Sequence, residues 1–261
     1  MKDRKAILVV SFGTSYEETL TKTIFACEKE LSAAFPEHDL KRAFTSFMII
    51  RKLKRVEGLD VDTPAIAMEK LRLENYTHVL VQPLHIIPGD EYNQKVLEAI
   101  MPFTGKFKSL HIGKPLLYHH RDYEATLDAI LSQLPVLKKR ESIVFMGHGT
   151  GHPANSSYSC LQAIIDDRNL PIQIGCVEGY PYVDTILKRL KKRSINKIHL
   201  FPLMLVAGDH AQNDMAGENE DSWKSVFEKA GYETECHLVG LGENKLIQQC
   251  FINKAHMALE V

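Results

Sequence analysis

The chain has 261 residues, 44% of them apolar and 25% charged, and 32 basic against 33 acidic side chains leave a formal net charge of −1. That length corresponds to about 1.7 average domains and can bury one large core or two smaller ones. Scattered glycines and prolines exclude a collagen-like or low-complexity chain, and the charge balance supplies no field that would hold the whole protein on nucleic acid or an anionic membrane.

In chain order, the unbroken aliphatic run Ala6 to Val10 predicts a parallel strand buried on both faces. A turn over Ser11 to Ser15 follows, and Thr14 and Ser15, with Glu17 and Glu18 at capping-box spacing, predict a helix start. Leu20, Ile24, Cys27, Leu31 and Phe35 form its apolar stripe, and Pro36 ends it. A strand over 39–44, a helix over 48–55, a helix from Thr63-Pro64 to about Glu74 and a strand over 78–84 come next. A loop over 86–90, a helix over 91–101, a strand over 109–113 and a helix ending at Leu131 complete the first part. Further strands are predicted over 142–146, 172–177, 197–203 and 234–238, with helices over 184–192, 221–230 and 245–259. Strands alternating with helices predict an α/β fold of parallel sheets flanked by helices.

No apolar run approaches the roughly 20 residues of a membrane helix. The basic start Met1-Lys2-Asp3-Arg4-Lys5 leads only into a strand-sized run with no small-residue cleavage site, so a cytoplasmic protein is expected. The five cysteines are an odd number, far apart, with no C-x-x-C. That argues against a disulfide framework, a zinc knot or an iron–sulfur cluster.

Two segments recur. Ile7 to Thr14 aligns with Ile143 to Thr150 at an offset of 136, and Val81 to Asp90 aligns with Leu200 to Asp209 at an offset of 119. We therefore expect two similar lobes, residues 1–118 and 119–261, with the final helix 245–259 free to pack back on the first, and an active-site cleft between them. In open parallel sheets ligands bind beyond the carboxyl ends of the strands, where both repeated segments end. The repeat also shows where the lobes differ: Phe12 corresponds to His148 and Glu91 to His210, so the second lobe carries two imidazoles at strand ends. Glu178, just after the strand over 172–177, occupies another such end.

Two imidazoles and a carboxylate suit a divalent first-row metal, and three protein ligands leave a coordination position open for chemistry. A single histidine is more often a surface or satisfied core residue; the placement of two at duplicated strand ends is what favours the metal reading. Gly147 and Gly149 flank His148, but position 152 is His where a dinucleotide fingerprint needs Gly, and neither a G-x-x-x-x-G-K-[ST] nor a G-x-S-x-G occurs. No nucleotide is expected. Glycines there let a flat ligand approach the backbone. The basic runs Arg51 to Arg55 and Lys188 to Arg193 read first as solvated helix faces, and second, for Arg51 and Lys52, as a grip on an acidic substrate.

Val9-Val10-Ser11-Phe12-Gly13-Thr14-Ser15, Arg42-Ala43-Phe44-Thr45-Ser46, Leu84-His85-Ile86-Ile87 with Gly89-Asp90-Glu91-Tyr92, Val144-Phe145-Met146-Gly147-His148-Gly149 and Pro202 to His210 with Asn213-Asp214-Met215 resemble the anaerobic cobaltochelatase family of cobalamin biosynthesis over nearly the whole chain. The resemblance implies a class II, ATP-independent chelatase, similar in fold to ferrochelatase, that inserts Co²⁺ into sirohydrochlorin or its precursor form. It places the family's metal-site histidines on His148 and His210 and its glutamate on Glu178. His148 is then the acceptor of pyrrole protons, with Glu178 and His210 delivering the metal. On this reading Ser11, Phe12, Gly13, Arg51, His85 and Glu91 line the substrate side, and the resemblance implies a homo-oligomer. Rival readings are a chelatase for Fe²⁺ or Ni²⁺, a zinc-dependent hydrolase on the same ligands, and a tetrapyrrole or metal carrier without catalysis.

Overall fold

The computed structural model describes residues 3–260. Met1 and Lys2, part of the basic start read above, and Val261 lie outside the described residues. Contacts divide the chain into two compact units, residues 3–118 with 245–260, and residues 119–244.

In the first unit β1 (Lys5–Ser11), β2 (His38–Phe44), β3 (His78–Pro83) and β4 (Ser109–Ile112) form an all-parallel sheet in the order β2-β1-β3-β4. In the second, β5 (Glu141–Gly147), β6 (Ile172–Cys176), β7 (Lys197–Pro202) and β8 (Glu233–Cys236) repeat it as β6-β5-β7-β8. Both ends of β1 and β5 differ by 136 positions and both ends of β3 and β7 by 119, the offsets visible in the sequence. The fold class expected from strand–helix alternation is therefore the one observed, twice.

The aliphatic run of β1 is at most 1% exposed because helices cover both of its faces. On one face Leu8, Val10 and Val81 meet Met68, Tyr92 and Val96; in the second unit Val144, Met146 and Leu200 meet Ile186, Trp223 and Phe227. Each such side chain contributes roughly 1.5–3 kcal/mol on burial. The helix Lys245–Leu259 groups with the first unit, so the second ends at residue 244 rather than 261. Its buried stripe Ile247, Phe251 and Ala255 packs against the helix Ala26–Ala34 and on β3 and β4.

Three local expectations change. The first helix begins at Glu17 without a side-chain cap, because the Thr14 hydroxyl instead accepts from the Tyr16 N–H at 3.3 Å. The helix expected over 91–101 runs as Asp90–Tyr92, a π-helical stretch Asn93–Leu97 and Glu98–Ile100, closing in a 3₁₀ turn at Pro102. The helix Ser156–Asp167 has no clear sequence signal: its stripe Tyr158, Leu161 and Ile165 is interrupted in sequence by serines, which favour turns. No helix among the described residues is long and apolar enough to cross a membrane.

Candidate metal centre

β5 ends at Gly147 and releases the chain at His148. Gly149 then adopts φ +85°, and a Cβ there would stand 2.8 Å from the Glu178 carbonyl carbon and from the Gly179 nitrogen. Only glycine lets the loop after β6 close this far. That loop is stitched to the end of β5, with the Val177 N–H donating to the Gly147 carbonyl at 3.0 Å and the Glu178 N–H to the His148 carbonyl at 2.7 Å. The side chains follow: His148 Nδ1 lies 3.8 Å from Glu178 Oε2.

His210 arrives from β7 on a π-helical turn, His210–Met215, anchored in the core by Ala211 and Met215. Such turns recur at functional sites because they re-aim side chains. Its ring meets that of His148 edge-on, with centroids 4.7 Å apart and planes at 87°. The structure thus places His148 beside both Glu178 and His210, all three within the second unit.

The hydrogen bonds fix which ring nitrogen is available. His148 Nδ1 lies 3.0 Å from the Gly149 carbonyl, which only accepts, so Nδ1 carries the proton and Nε2 the lone pair. His210 Nδ1 is 2.5 Å from Asp214 Oδ2, and a carboxylate acceptor leaves the His210 Nε2 lone pair outward in the same way. Asp214 was assigned no role from sequence, although it stands four residues after His210, the spacing of one helical turn. Side-chain exposures of 45% for His148, 60% for Glu178 and 35% for His210 leave the group open to a ligand.

The other singled-out residues belong to the first unit. Gly13, counterpart of Gly149, has φ +92°, and a Cβ there would strike the Phe44 ring at 2.7 Å. Phe12 is exposed; Ser11 is buried, and its hydroxyl has no partner among the described residues. Arg51 lines, with Phe47, Met48, Lys52 and Arg55, an open concavity of about 740 Å³ along the helix Phe47–Glu57. Two apolar side chains, Phe47 and Met48, are followed there by three cationic ones. Glu91 is half-buried in the turn Asp90–Tyr92.

His85 lies beside Tyr92, ring centroids 6.2 Å apart, and both its ring nitrogens are buried without a partner among the described residues. Burial disfavours its charged form and lowers its pKa from 6.5 to about 4. Between those values the unfolded chain binds the extra proton and the folded one does not, so stability falls as pH drops from 6.5 toward 4. Thermal melts at pH 7, 5.5 and 4.5 should show a smaller acid-side loss for His85→Leu than for the unsubstituted protein; equal losses would refute this.

The family model described as cobalt chelatase (CbiK) matches residues 5–260. A sirohydrochlorin cobaltochelatase of Salmonella typhimurium is 47% identical over 258 residues, covering 99% of this chain and 97% of that protein. A sirohydrochlorin cobaltochelatase of Nitratidesulfovibrio vulgaris is 38% identical over 231 residues, covering 87% and 81%. Among solved structures, SirB from Bacillus subtilis with Fe³⁺ superposes at a TM-score of 0.67 with 15% identity, over 98% of this chain and 95% of that one, a likeness of fold.

Proposed function

The chain belongs to the cobalt chelatase (CbiK) family, and from that premise we propose that it inserts Co²⁺ into sirohydrochlorin through His148, Glu178 and His210. The observation that carries this reading is the edge-on imidazole pair beside a carboxylate, with Nδ1 of each ring facing an acceptor oxygen.

Insertion exchanges two pyrrole N–H protons for one dication. His210 and Glu178 hold the incoming Co²⁺, and their few neutral and carboxylate donors leave positions for the macrocycle nitrogens. His148 Nε2 accepts each pyrrole proton as the metal–nitrogen bonds form and passes it to solvent. A site built on thiolates would hold the ion too firmly to hand it on. Cys176, at the end of β6, is kept from that role because burial pushes its thiol up to about 12. Asp214 is a positioning residue: its carboxylate fixes the orientation of the His210 ring.

The test is absorbance-monitored metal insertion into sirohydrochlorin by the purified protein. Co²⁺ should be inserted well above the uncatalysed rate and faster than Fe²⁺ or Ni²⁺. Asp214→Asn should lower Co²⁺ affinity about 10–100-fold. Binding of the macrocycle without acceleration would replace the reading by a carrier, and faster insertion of Fe²⁺ or Ni²⁺ by a different chelatase.

A further inference from the structure

The second unit holds another cluster of donors, within its sheet rather than at the strand ends. β7 and β8 pair in parallel with His199 opposite Glu235, so the two side chains leave the same face. His237, two residues beyond Glu235, is directed to that face by the period of two. His199 Nδ1 lies 3.0 Å from His237 Nε2 and 3.7 Å from Glu235 Oε2, and His237 Nε2 lies 3.6 Å from Glu235 Oε1. One donor atom from each of the three residues lies within 4.8 Å of the others.

These separations are those of ligands around one ion. At metal–donor distances of about 2.0–2.2 Å, two tetrahedral ligands stand about 3.3 Å apart. The rings are also held for the task. His237 stacks on Phe201, centroids 4.2 Å apart and planes at 2°. His199 is 7% exposed, and its Nε2 lies 3.5 Å from Glu141 Oε2 with no closer partner among the described residues. A carboxylate facing the remote nitrogen of a ligating histidine is the usual support of a metal site. Lys197 Nζ, 2.8 Å from Glu235 Oε2, fixes that carboxylate while its other oxygen faces His237.

The duplicated fold does not itself require these histidines. At the position of His199 the first unit has Leu80, paired with His111, and there the helix Lys245–Leu259 packs on β3 and β4. An imidazole buried where the sibling strand uses leucine is costly unless it has a partner. We propose that His199, Glu235 and His237 form a second site for a divalent transition metal ion, with its remaining position open to water on the side of the more exposed Glu235. His199 pairs with Ile143, and His148 lies five residues beyond that. At about 3.3 Å per residue the cluster is roughly 16 Å along the strand from the first metal centre, so one ion cannot serve both.

The test uses the full chain carrying His148→Ala and His210→Ala, titrated with Co²⁺ and with Zn²⁺ and read by bound-metal stoichiometry and by the visible absorption of bound Co²⁺. One equivalent of metal should remain bound. Adding His237→Gln, at a partly exposed position, should weaken that binding at least 10-fold, and His199→Leu, which copies Leu80, should abolish it while the thermal melt of the metal-free protein stays cooperative. No bound metal in the double variant, or unchanged affinity after His237→Gln, would overturn the proposal and leave the His199–His237 contact an ordinary imidazole hydrogen bond. Because insertion is not measured, failure here is distinct from failure of the chelatase reading.

Discussion

His148→Ala is expected to slow Co²⁺ insertion by about 10²–10⁴-fold, the usual contribution of a positioned general base. The substitution removes the Nε2 lone pair and leaves the loop intact, because the bond that ties His148 to Glu178 runs through the His148 backbone carbonyl. With its side chain 45% exposed, the residue contributes little to the core, so unfolding in urea should change by no more than about 0.5 kcal/mol. The loss should therefore fall on kcat, with KM for sirohydrochlorin nearly unchanged. Initial rates at saturating Co²⁺, corrected for spontaneous insertion, measure it. A rate within threefold of the unsubstituted protein would remove His148 from the proton path.

Gly149→Ala is expected to damage both stability and activity. An L-residue held at φ +85° costs about 1–2 kcal/mol. The added methyl would also meet backbone, the Glu178 carbon and the Gly179 nitrogen at 2.8 Å, neither of which can rotate away. The loop must open, separating Glu178 from His148. Together these predict about 3 kcal/mol lost in urea unfolding and about a 10²-fold drop in insertion from misplaced groups. Gly151→Ala is the control: a Cβ there meets nothing within 4 Å, and neither quantity should change. Gly13→Ala should cost stability in the same way, because φ there is +92° and a Cβ would meet the fully buried Phe44 ring at 2.7 Å.

The duplicated architecture and the three strand-end residues of the second unit were legible in the sequence for one reason. A parallel strand buried on both faces is an unbroken aliphatic run, and the residue that follows such a run stands at the carboxyl edge of the sheet wherever the strand lies. Matching two runs at fixed offsets therefore aligned His148 with Phe12 and His210 with Glu91 before any coordinates. The same local patterns could not show what depends on rotation about a helix or on pairing between distant strands. The bond from His210 to the Asp214 carboxylate rests on the π-helical turn that carries both. The grouping of the helix Lys245–Leu259 with the first unit depends on a surface that β3, β4 and the helix Ala26–Ala34 create only once assembled. The meeting of His199 with Glu235 and His237, 38 positions away at its far end, depends on a parallel register. Periodicity along one segment specifies which face a side chain occupies, whereas its partner across the sheet is chosen by the packing of the whole unit.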